Sequence, residues 1–540
     1  MPGAVRRRSD GLTGSQGLWW LTASLMCGAL ISPMLVVDAP PLLDYLNHLA
    51  RISILASSGD QIISRMYAPH WAIIPNLGLD LMLPPVLRVM PVLTAGKLAV
   101  SAVILLPVLG TIAYSGAVHR TSSFWSLGVC LVAYNETVLL GFMNFLAAAG
   151  LAMLLAAFWI RWRDTFPIRS TVLCVVGVLG LFFCHLMGVI LFLALTLSFE
   201  LESIWRHPET VLRRVLTWVP MAIGPCVLYL LSPLQAVSGQ TLWLPARDKA
   251  VQLLAPVIGY NQFLDGLTAA VIGLSLLGFI VCGSCRIPPH ALIAISVLLI
   301  LYAASPFIIK GTCFLDTRFV IILGYLMFGA VLPTRLDPRV IKTIALICIC
   351  VFAWRMTTIG ETWHAYQQDI DDMRATISDV QPGDRVYVTS VAPAEAPDYW
   401  QHGPRSRILW TGLRLDYHLA ALLVLEHRAF WPFLFTDPTQ QPVMVLEPYR
   451  RLAEVAGPML AHRDPQATSD RMLCGYDYVL LLNAGGEPDV AQYGRGRLDL
   501  VYASDAAALF RIGSIKRRDP PDRSECRRGE QGTPAVAWRP

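Results

Sequence analysis

Charged side chains are scarce in this sequence. Only 15% of the 540 residues are Asp, Glu, Lys or Arg, whereas 55% are hydrophobic and the mean hydropathy is +0.52. So little charge cannot cover the surface of a soluble globular protein of this length, which excludes that class. The chain is also too long for a single membrane span, and we therefore expect a polytopic membrane protein.

A continuous basic face or tail is also lacking. The formal net charge is +5, and Lys and Arg fall in short segments between apolar runs, so we expect no nucleic-acid partner. The first apolar run, Leu18–Val37, follows a charged N-terminus, but no clear small-residue cleavage site comes after it. Because this run can cross a hydrocarbon core of about 30 Å, we interpret it as a retained first helix.

The twelve cysteines lack the spacing of a metal site. Most lie inside apolar runs, where cysteine packs as a small hydrophobic residue. Cys282 and Cys285 have the spacing of half a zinc site, but no second Cys or His pair lies near them in sequence. We expect no metal site and no cofactor; a divalent metal is compatible with the chemistry considered below, but the residues do not support one.

Apolar runs of spanning length recur through the first two thirds of the chain. Clusters of Lys and Arg between them satisfy the positive-inside rule if the 171–199 stretch enters the membrane and returns. The N-terminus is then cytoplasmic, and residues 38–95, 234–266 and everything after about 358 lie on the outer face. We identify eleven such segments, near residues 18–37, 96–118, 122–140, 142–160, 171–184, 186–199, 214–233, 267–285, 289–309, 318–334 and 340–357.

The character of the chain changes after residue 357. Charges become frequent, and strand-like pieces such as DRVYVTSV, YDYVLLLN and LDLVYASDAAALFRI stand between Pro- and Gly-rich turns. The predicted fold class is therefore mostly α: a membrane helical bundle over residues 1–357, then a soluble periplasmic α/β domain over 358–515. We expect the polar, Arg- and Pro-rich tail, 516–540, to be disordered.

The stretch DAPPLLDYLNHLAR, residues 38–51, begins the first outer loop. If it is helical from Leu42 onward, Asp44, Asn47, His48 and Arg51 fall on one narrow arc, opposite Leu42, Leu46 and Leu49. An amphipathic interfacial helix with a solvated polar edge is one interpretation. The other is a functional site, because a carboxylate, an imidazole and a guanidinium stand together beside a helix bundle.

This arrangement resembles the GT-C superfamily of membrane glycosyltransferases, in particular the protein O-mannosyltransferases and the lipid A aminoarabinose transferases. LLDYLNHLAR is similar to the first-loop segment of that family and implies that Asp44 activates the acceptor. LFFCHLMGV resembles an outer-face hairpin that places His185 near the donor phosphate, and FLDTRFVIILGYLMFG resembles a late helix that makes Arg318 a phosphate ligand. A bacterial subset with GFMNF-like and HLAALLVLEHRAFWPFLF-like segments is also similar.

The resemblance implies transfer of a sugar from a polyprenyl-phosphate carrier to a glycan, lipid or protein acceptor at the outer face of the bacterial inner membrane. A carboxylate can take the acceptor proton, which makes Asp44 the candidate base. Arginine grips phosphate oxygens in pairs, so Arg318 suits the leaving group. The further phosphate- or substrate-binding candidates are His48, Arg51, His185, Lys310 and Asp316. We expect a single inverting displacement with no protein nucleophile.

Weaker candidates stand at the ends of the predicted spans. Asn135 and Glu136 are either site residues or ordinary loop residues, and Asp38 either contributes to the site or only terminates the first helix. Two other classes stay open: a transporter or flippase of a lipid-linked sugar, and a subunit that keeps the scaffold without activity. The absence of two-fold internal similarity and the outer position of the charges favour the enzyme.

Overall fold

The computed structural model describes residues 12–57, 59–391, 405–456, 473, 475–485 and 498–513, and the predicted disordered tail lies outside these ranges. Within them the chain is mostly helical, with sixteen α-helices before residue 377. They are α1 Leu12–Ile31, α2 Tyr45–Ala56, α3 Ile63–Met66, α4 Gly78–Val86, α5 Val92–His119, α6 Phe124–Leu127, α7 Glu136–Leu139, α8 Met143–Trp162, α9 Pro167–Cys184, α10 Leu186–Arg206, α11 Val211–Leu231, α12 Ala246–Gln252, α13 Gln262–Val281, α14 Pro289–Ala304, α15 Leu315–Gly329 and α16 Pro338–Thr376.

Eight helices in the described part of the chain are long and apolar enough to cross a membrane, and α14 is a shorter apolar helix. The prediction of a polytopic helical membrane protein is thereby confirmed. The eight candidate spans are Gln16–Leu35, Val92–His119, Met143–Trp162, Pro167–Cys184, Leu186–Arg206, Pro208–Leu231, Gln262–Val281 and Arg339–Thr376.

One expected span, 122–140, is not a continuous helix. It divides into α6, a 3-10 turn at Gly128–Val132 and α7. The helix restarts at α7 because Asn135 has extended backbone, and its side chain accepts hydrogen bonds from the backbone N–H groups of Thr137 and Val138. The Asn135 side chain also donates to the Val132 carbonyl and the Tyr325 hydroxyl, so buried protein groups satisfy the interrupted backbone.

A four-stranded mixed sheet follows the bundle. Its strands are β4 Val386–Ser390, β6 Tyr478–Leu482, β7 Leu498–Ala503 and β8 Ala507–Ile512. They lie in the order β4-β6-β8-β7. Strands β4 and β6 are parallel, and the other neighbours are antiparallel. The helix α16 continues past residue 357 and touches this sheet through Thr376. One helix therefore joins the bundle to the described residues after Thr376, which we call the C-terminal part.

The first loop and the C-terminal part also pair directly. Strand β1, Tyr67–Pro69, is antiparallel to β5, Val443–Val445. At the opposite end of the bundle, β2, Cys285–Arg286, pairs with β3, Leu332–Pro333, and Arg163 forms an ion pair with Glu200.

Candidate functional site

A cavity of about 1010 Å³ lies where the first loop, several helix ends and the C-terminal part meet. We call it the site cavity. Five of the residues singled out in the sequence line it: Asp44, His48, His185, Lys310 and Arg318. Further wall residues include Asn76, Phe142, Asn144, Phe145, Met187, Ile190, Tyr229, Leu234, Cys313, Thr436, Asp437, Thr439, Gln440 and Gln441.

The backbone around Asp44 is held by the turn after α7. The Leu43 N–H donates to the Leu139 carbonyl at 2.8 Å, and the Asp44 N–H donates to the Leu140 carbonyl at 3.1 Å. Gly141 has φ +76°, and a Cβ at that position would lie 2.9 Å from the Asp44 nitrogen. Glycine is therefore required at position 141, because other residues rarely adopt this backbone angle and a side chain would collide with Asp44. The turn fixes the position of the Asp44 backbone.

Arg318, in the first turn of α15, reaches the site cavity between two aromatic rings. Its guanidinium carbon lies 4.8 Å from the Phe142 ring centroid and 5.9 Å from that of Phe145. One nitrogen, Nη2, donates to the Cys313 carbonyl at 3.4 Å, whereas Nε has no hydrogen-bond partner among the described residues. Asp44 is close enough to interact electrostatically with Arg318, which is only 8% exposed. A buried cation with a free donor is suited to an anionic ligand.

His185 stands between α9 and α10, where it caps α10. Its Nδ1 accepts a hydrogen bond from the Met187 N–H at 3.1 Å, so the neutral ring carries its proton on Nε2. Burial, followed by the nearby positive charge of Arg318, lowers the pKa of His185 well below 6.5. His185 therefore offers the cavity a neutral N–H donor at pH 7.

His48 lies one helical turn after Asp44 on α2 and is buried against the Phe435 ring, at a centroid distance of 5.4 Å. Its pKa is lowered well below 6.5, first by burial and then by the positive charge of Arg51. Its Nδ1 atom has no hydrogen-bond partner within the described ranges. We therefore expect His48 to be neutral at pH 7.

Lys310 belongs to the segment between α14 and α15. Its ammonium donates to the carbonyls of Leu234 and Gln235, at 3.2 and 3.0 Å. These contacts join two segments at the rim of the site cavity. Lys310 lines the cavity, but its ammonium is hydrogen-bonded to backbone carbonyls in this structure.

Arg51 and Asp316 do not line the site cavity. Two nitrogens of Arg51 donate to both carboxylate oxygens of Asp80 at 2.7 Å, and a third contacts the Gln441 side chain. The Asp316 carboxylate pairs with Lys249 at 3.2 Å and accepts from Gln252. Both residues are fully buried, so their charges are used inside the protein.

The three weaker candidates also lie outside the cavity wall. Asp38 forms an ion pair with Arg374 of α16 at 2.7 Å, which ties the start of the first loop to that helix. Asn135 caps α7, as described above. Glu136 is buried, and its pKa is raised to about 7, first by burial and then by the negative charge of Asp316.

Sequence reasoning missed several groups at or beside the site. Asn144 accepts from the Leu79 N–H and donates to Asn76, which joins α8 to the first loop. It stands in the quoted GFMNF segment, where a polar residue in an apolar run is a usable signal. The polar wall at 434–441 gave no such signal. His418, the first residue of the quoted HLAALLV segment, contacts Asp44 from behind that wall.

No three His, Cys, Asp or Glu side chains in the described ranges come together as a metal site would require. The groups at the site cavity instead include the carboxylates of Asp44 and Asp437, the buried Arg318 guanidinium, the neutral His185 imidazole and a wall of hydroxyls and amides. This set can take a proton at one point and bind an anion at another. Such a separation of charge suits group transfer from a phosphate ester.

No protein-family model matches the chain, and no curated protein matches its sequence. Among solved structures, ArnT from Cupriavidus metallidurans in the apo state has a TM-score of 0.54 at 12% identity, over 93% of this chain and 98% of that one. The arabinofuranosyltransferase AftD from Mycobacteria has a TM-score of 0.42 at 15% identity, over 91% of this chain and 40% of that one. At such identities only the first likeness carries weight, and it concerns the fold. The chain therefore shares the overall fold of ArnT.

Proposed function

We propose that the protein is a membrane glycosyltransferase that moves a sugar from a polyprenyl-phosphate carrier to an acceptor. In this reaction the bond between the sugar carbon and the phosphate oxygen breaks as a bond to the acceptor oxygen or nitrogen forms. The acceptor proton goes to the Asp44 carboxylate, and polyprenyl phosphate leaves. A single displacement of this kind inverts the sugar carbon.

The observation that carries this proposal is the meeting of Asp44 and Arg318 in one large cavity. A base and an anion-binding cation must stand on opposite sides of the reacting carbon, within reach of one bound molecule. Arg318 has an unused donor and aromatic rings that exclude water, so the negative charge on the leaving phosphate is stabilised there. The Nε2–H group of His185 supplies a second donor.

Lys310 adds a second cation if its ammonium leaves the carbonyls of Leu234 and Gln235 when phosphate enters. The apolar part of the wall, which includes Ile190, Tyr229 and Leu234, suits the first units of a polyprenyl chain. Among the groups described, the positive charge that the reaction needs comes from side chains, so the proposal includes no metal or other cofactor.

We further propose that the site cavity opens on the outer face of a bacterial inner membrane. Most Lys and Arg between the apolar runs fall in alternate turns of the sequence, and the positive-inside rule assigns that set of turns to the cytoplasm. The N-terminus is then cytoplasmic, and the C-terminal sheet is periplasmic. A lipid-borne donor would approach through the bilayer, and a glycan, lipid or protein acceptor from the aqueous side.

The experiment uses purified protein in vesicles that contain a pool of radiolabelled sugars linked to polyprenyl phosphate. The proposal predicts that label leaves the carrier fraction, with equal release of polyprenyl phosphate, when a cell-envelope extract is added as acceptor. Label that crosses the bilayer while still linked to the carrier would indicate a flippase. The absence of both results, with the pool checked in a known transferase, would contradict the proposal.

A further inference from the structure

Asp44 precedes the first residue of α2, where an aspartate ordinarily accepts a hydrogen bond from the helix backbone. In this structure its side chain makes no such bond. Its backbone is in the right-handed helical region, with φ −87° and ψ −6°, and not in the extended conformation typical of a capping residue. The Asp44 carboxylate is therefore not used to cap α2.

The carboxylate meets His418, a residue from the C-terminal part. The distance from His418 Nδ1 to Asp44 Oδ1 is 3.2 Å, and the same nitrogen lies 3.0 Å from the Leu43 carbonyl oxygen. Both neighbours are acceptors, so the proton of the ring must be on Nδ1. The carbonyl thus fixes the tautomer, and the N–H is held beside the carboxylate.

The His418 ring is itself fixed by aromatic contacts. It packs edge-on against Phe435, at a centroid distance of 5.1 Å, and against Trp431 at 5.9 Å. Its side chain is 13% exposed, and it does not line the site cavity. His418 therefore contacts Asp44 from behind the wall and has no direct path to a ligand.

We propose that His418 is a positioning residue for the Asp44 carboxylate in the transfer reaction, an inference that rests on the proposed function. Its Nδ1–H donates to the Leu43 carbonyl and lies 3.2 Å from Asp44 Oδ1, so the polar N–H group attracts that oxygen and limits the rotation of the carboxylate. The support comes from two separate segments, because the 139–141 turn fixes the backbone of Asp44 and the C-terminal part fixes its side chain. The base is then complete only when the C-terminal part is docked on α2.

Three variants test this role in the vesicle assay. His418→Leu removes the donor but keeps an apolar side chain, and His418→Asn restores an N–H near the position of Nδ1. The control is His427→Leu, because His427 lies in the same segment and its Nδ1 contacts the Val380 carbonyl at 2.9 Å, away from the site cavity. Protein amount and melting temperature are measured for each.

The expected result for His418→Leu is a roughly 10-fold to 100-fold fall in kcat with an unchanged KM, because a misplaced base slows chemistry without weakening binding. His418→Asn should recover most of the kcat, and His427→Leu should match the wild type. If His418 only docked the C-terminal part, its loss would move the 434–441 wall and raise KM.

Each other outcome contradicts a specific claim. An unchanged kcat in His418→Leu, with Asp44→Asn inactive, would overturn the positioning role and leave the proposed function standing. A raised KM, or a failure of His418→Asn to improve on His418→Leu, would also overturn the role. A wild-type protein that transfers no sugar from any donor in the pool would overturn the proposed function and this inference with it.

Discussion

Two buried arginines, Arg51 and Arg318, show how residues of the same type acquire different tasks. Both follow an aspartate within one or two helical turns, and both were candidates for phosphate binding. The Arg51 guanidinium is hydrogen-bonded to the Asp80 carboxylate on α4. Arg318 instead faces the site cavity, and its Nε has no hydrogen-bond partner among the described residues. The sequence shows the arginines but not their partners, because Asp80 meets Arg51 only through tertiary packing.

Replacing Arg318 by Lys tests its role at this scale. The ammonium keeps the charge but cannot reproduce the planar fork or the stacking between Phe142 and Phe145, so transfer should fall about tenfold to a hundredfold. Sugar transfer in vesicles is the measurement, and the amount of folded protein should not change. Full activity of Arg318→Lys would show that the guanidinium only packs in the wall.

Replacing Arg51 should instead lower the stability of the protein and leave donor binding unchanged. Arg51→Met leaves the Asp80 carboxylate buried without a cation, which costs about 3 to 5 kcal/mol. The melting temperature and the yield of membrane-inserted protein should therefore drop, while KM for the donor in the surviving protein stays near the wild-type value. A raised KM at normal stability would restore Arg51 as a phosphate ligand.

At the scale of elements, most helices follow from the length of their apolar runs. A helix is the simplest way for some twenty apolar residues to satisfy their backbone in a bilayer, so α5, α8 and α13 are readily predicted. The β-rich pieces around 386, 478 and 500 likewise became strands. Hydropathy alone does not reveal the break in 122–140, since Asn135 interrupts the helix through side-chain contacts inside the bundle.

The broken segment gives a prediction about stability. Asn135→Ala removes a helix cap and leaves the Tyr325 hydroxyl without that donor, so the protein should lose about 1 to 3 kcal/mol. Asn261→Ala is the matched control, because Asn261 caps α13 at an exposed position and accepts only from the Leu264 N–H. Thermal unfolding in detergent should rank Asn135→Ala well below Asn261→Ala, and equal melting temperatures would contradict this account.

At the scale of the whole molecule, the first loop and the C-terminal part form one assembly on the bundle. Strands β1 and β5 pair across a large separation in sequence, and Asn47 of α2 binds the backbone of Phe433 and Phe435. A three-residue strand has no recognisable sequence signal, so the pairing of β1 with β5 could not be predicted from the sequence. It explains why α2 is buried on its polar arc, where a solvated interfacial helix was one expectation.

Two native cysteines report the orientation of this assembly. Cys313 lines the site cavity, and Cys282 directly follows the C-terminal end of α13. Both are exposed. The test uses variants that retain either Cys313 or Cys282 as their single cysteine. A membrane-impermeant maleimide added to intact bacterial cells with a permeable outer membrane should label Cys313. Cys282 should react only after the inner membrane is opened, and the reverse pattern would place the site cavity on the cytoplasmic side.

The central claim is that Asp44 is the base of a sugar-transfer reaction, and the most direct measurement compares Asp44→Asn with Asp38→Asn. Asp38 is the matched control, because it lies in the same loop but pairs with Arg374 outside the site cavity. With equal protein in the membrane, Asp44→Asn should lower sugar transfer by about 100-fold to 10,000-fold, the usual loss for a general base. Asp38→Asn should keep most of the activity. Equal losses, or a larger loss in Asp38→Asn, would show that Asp44 is not the catalytic carboxylate.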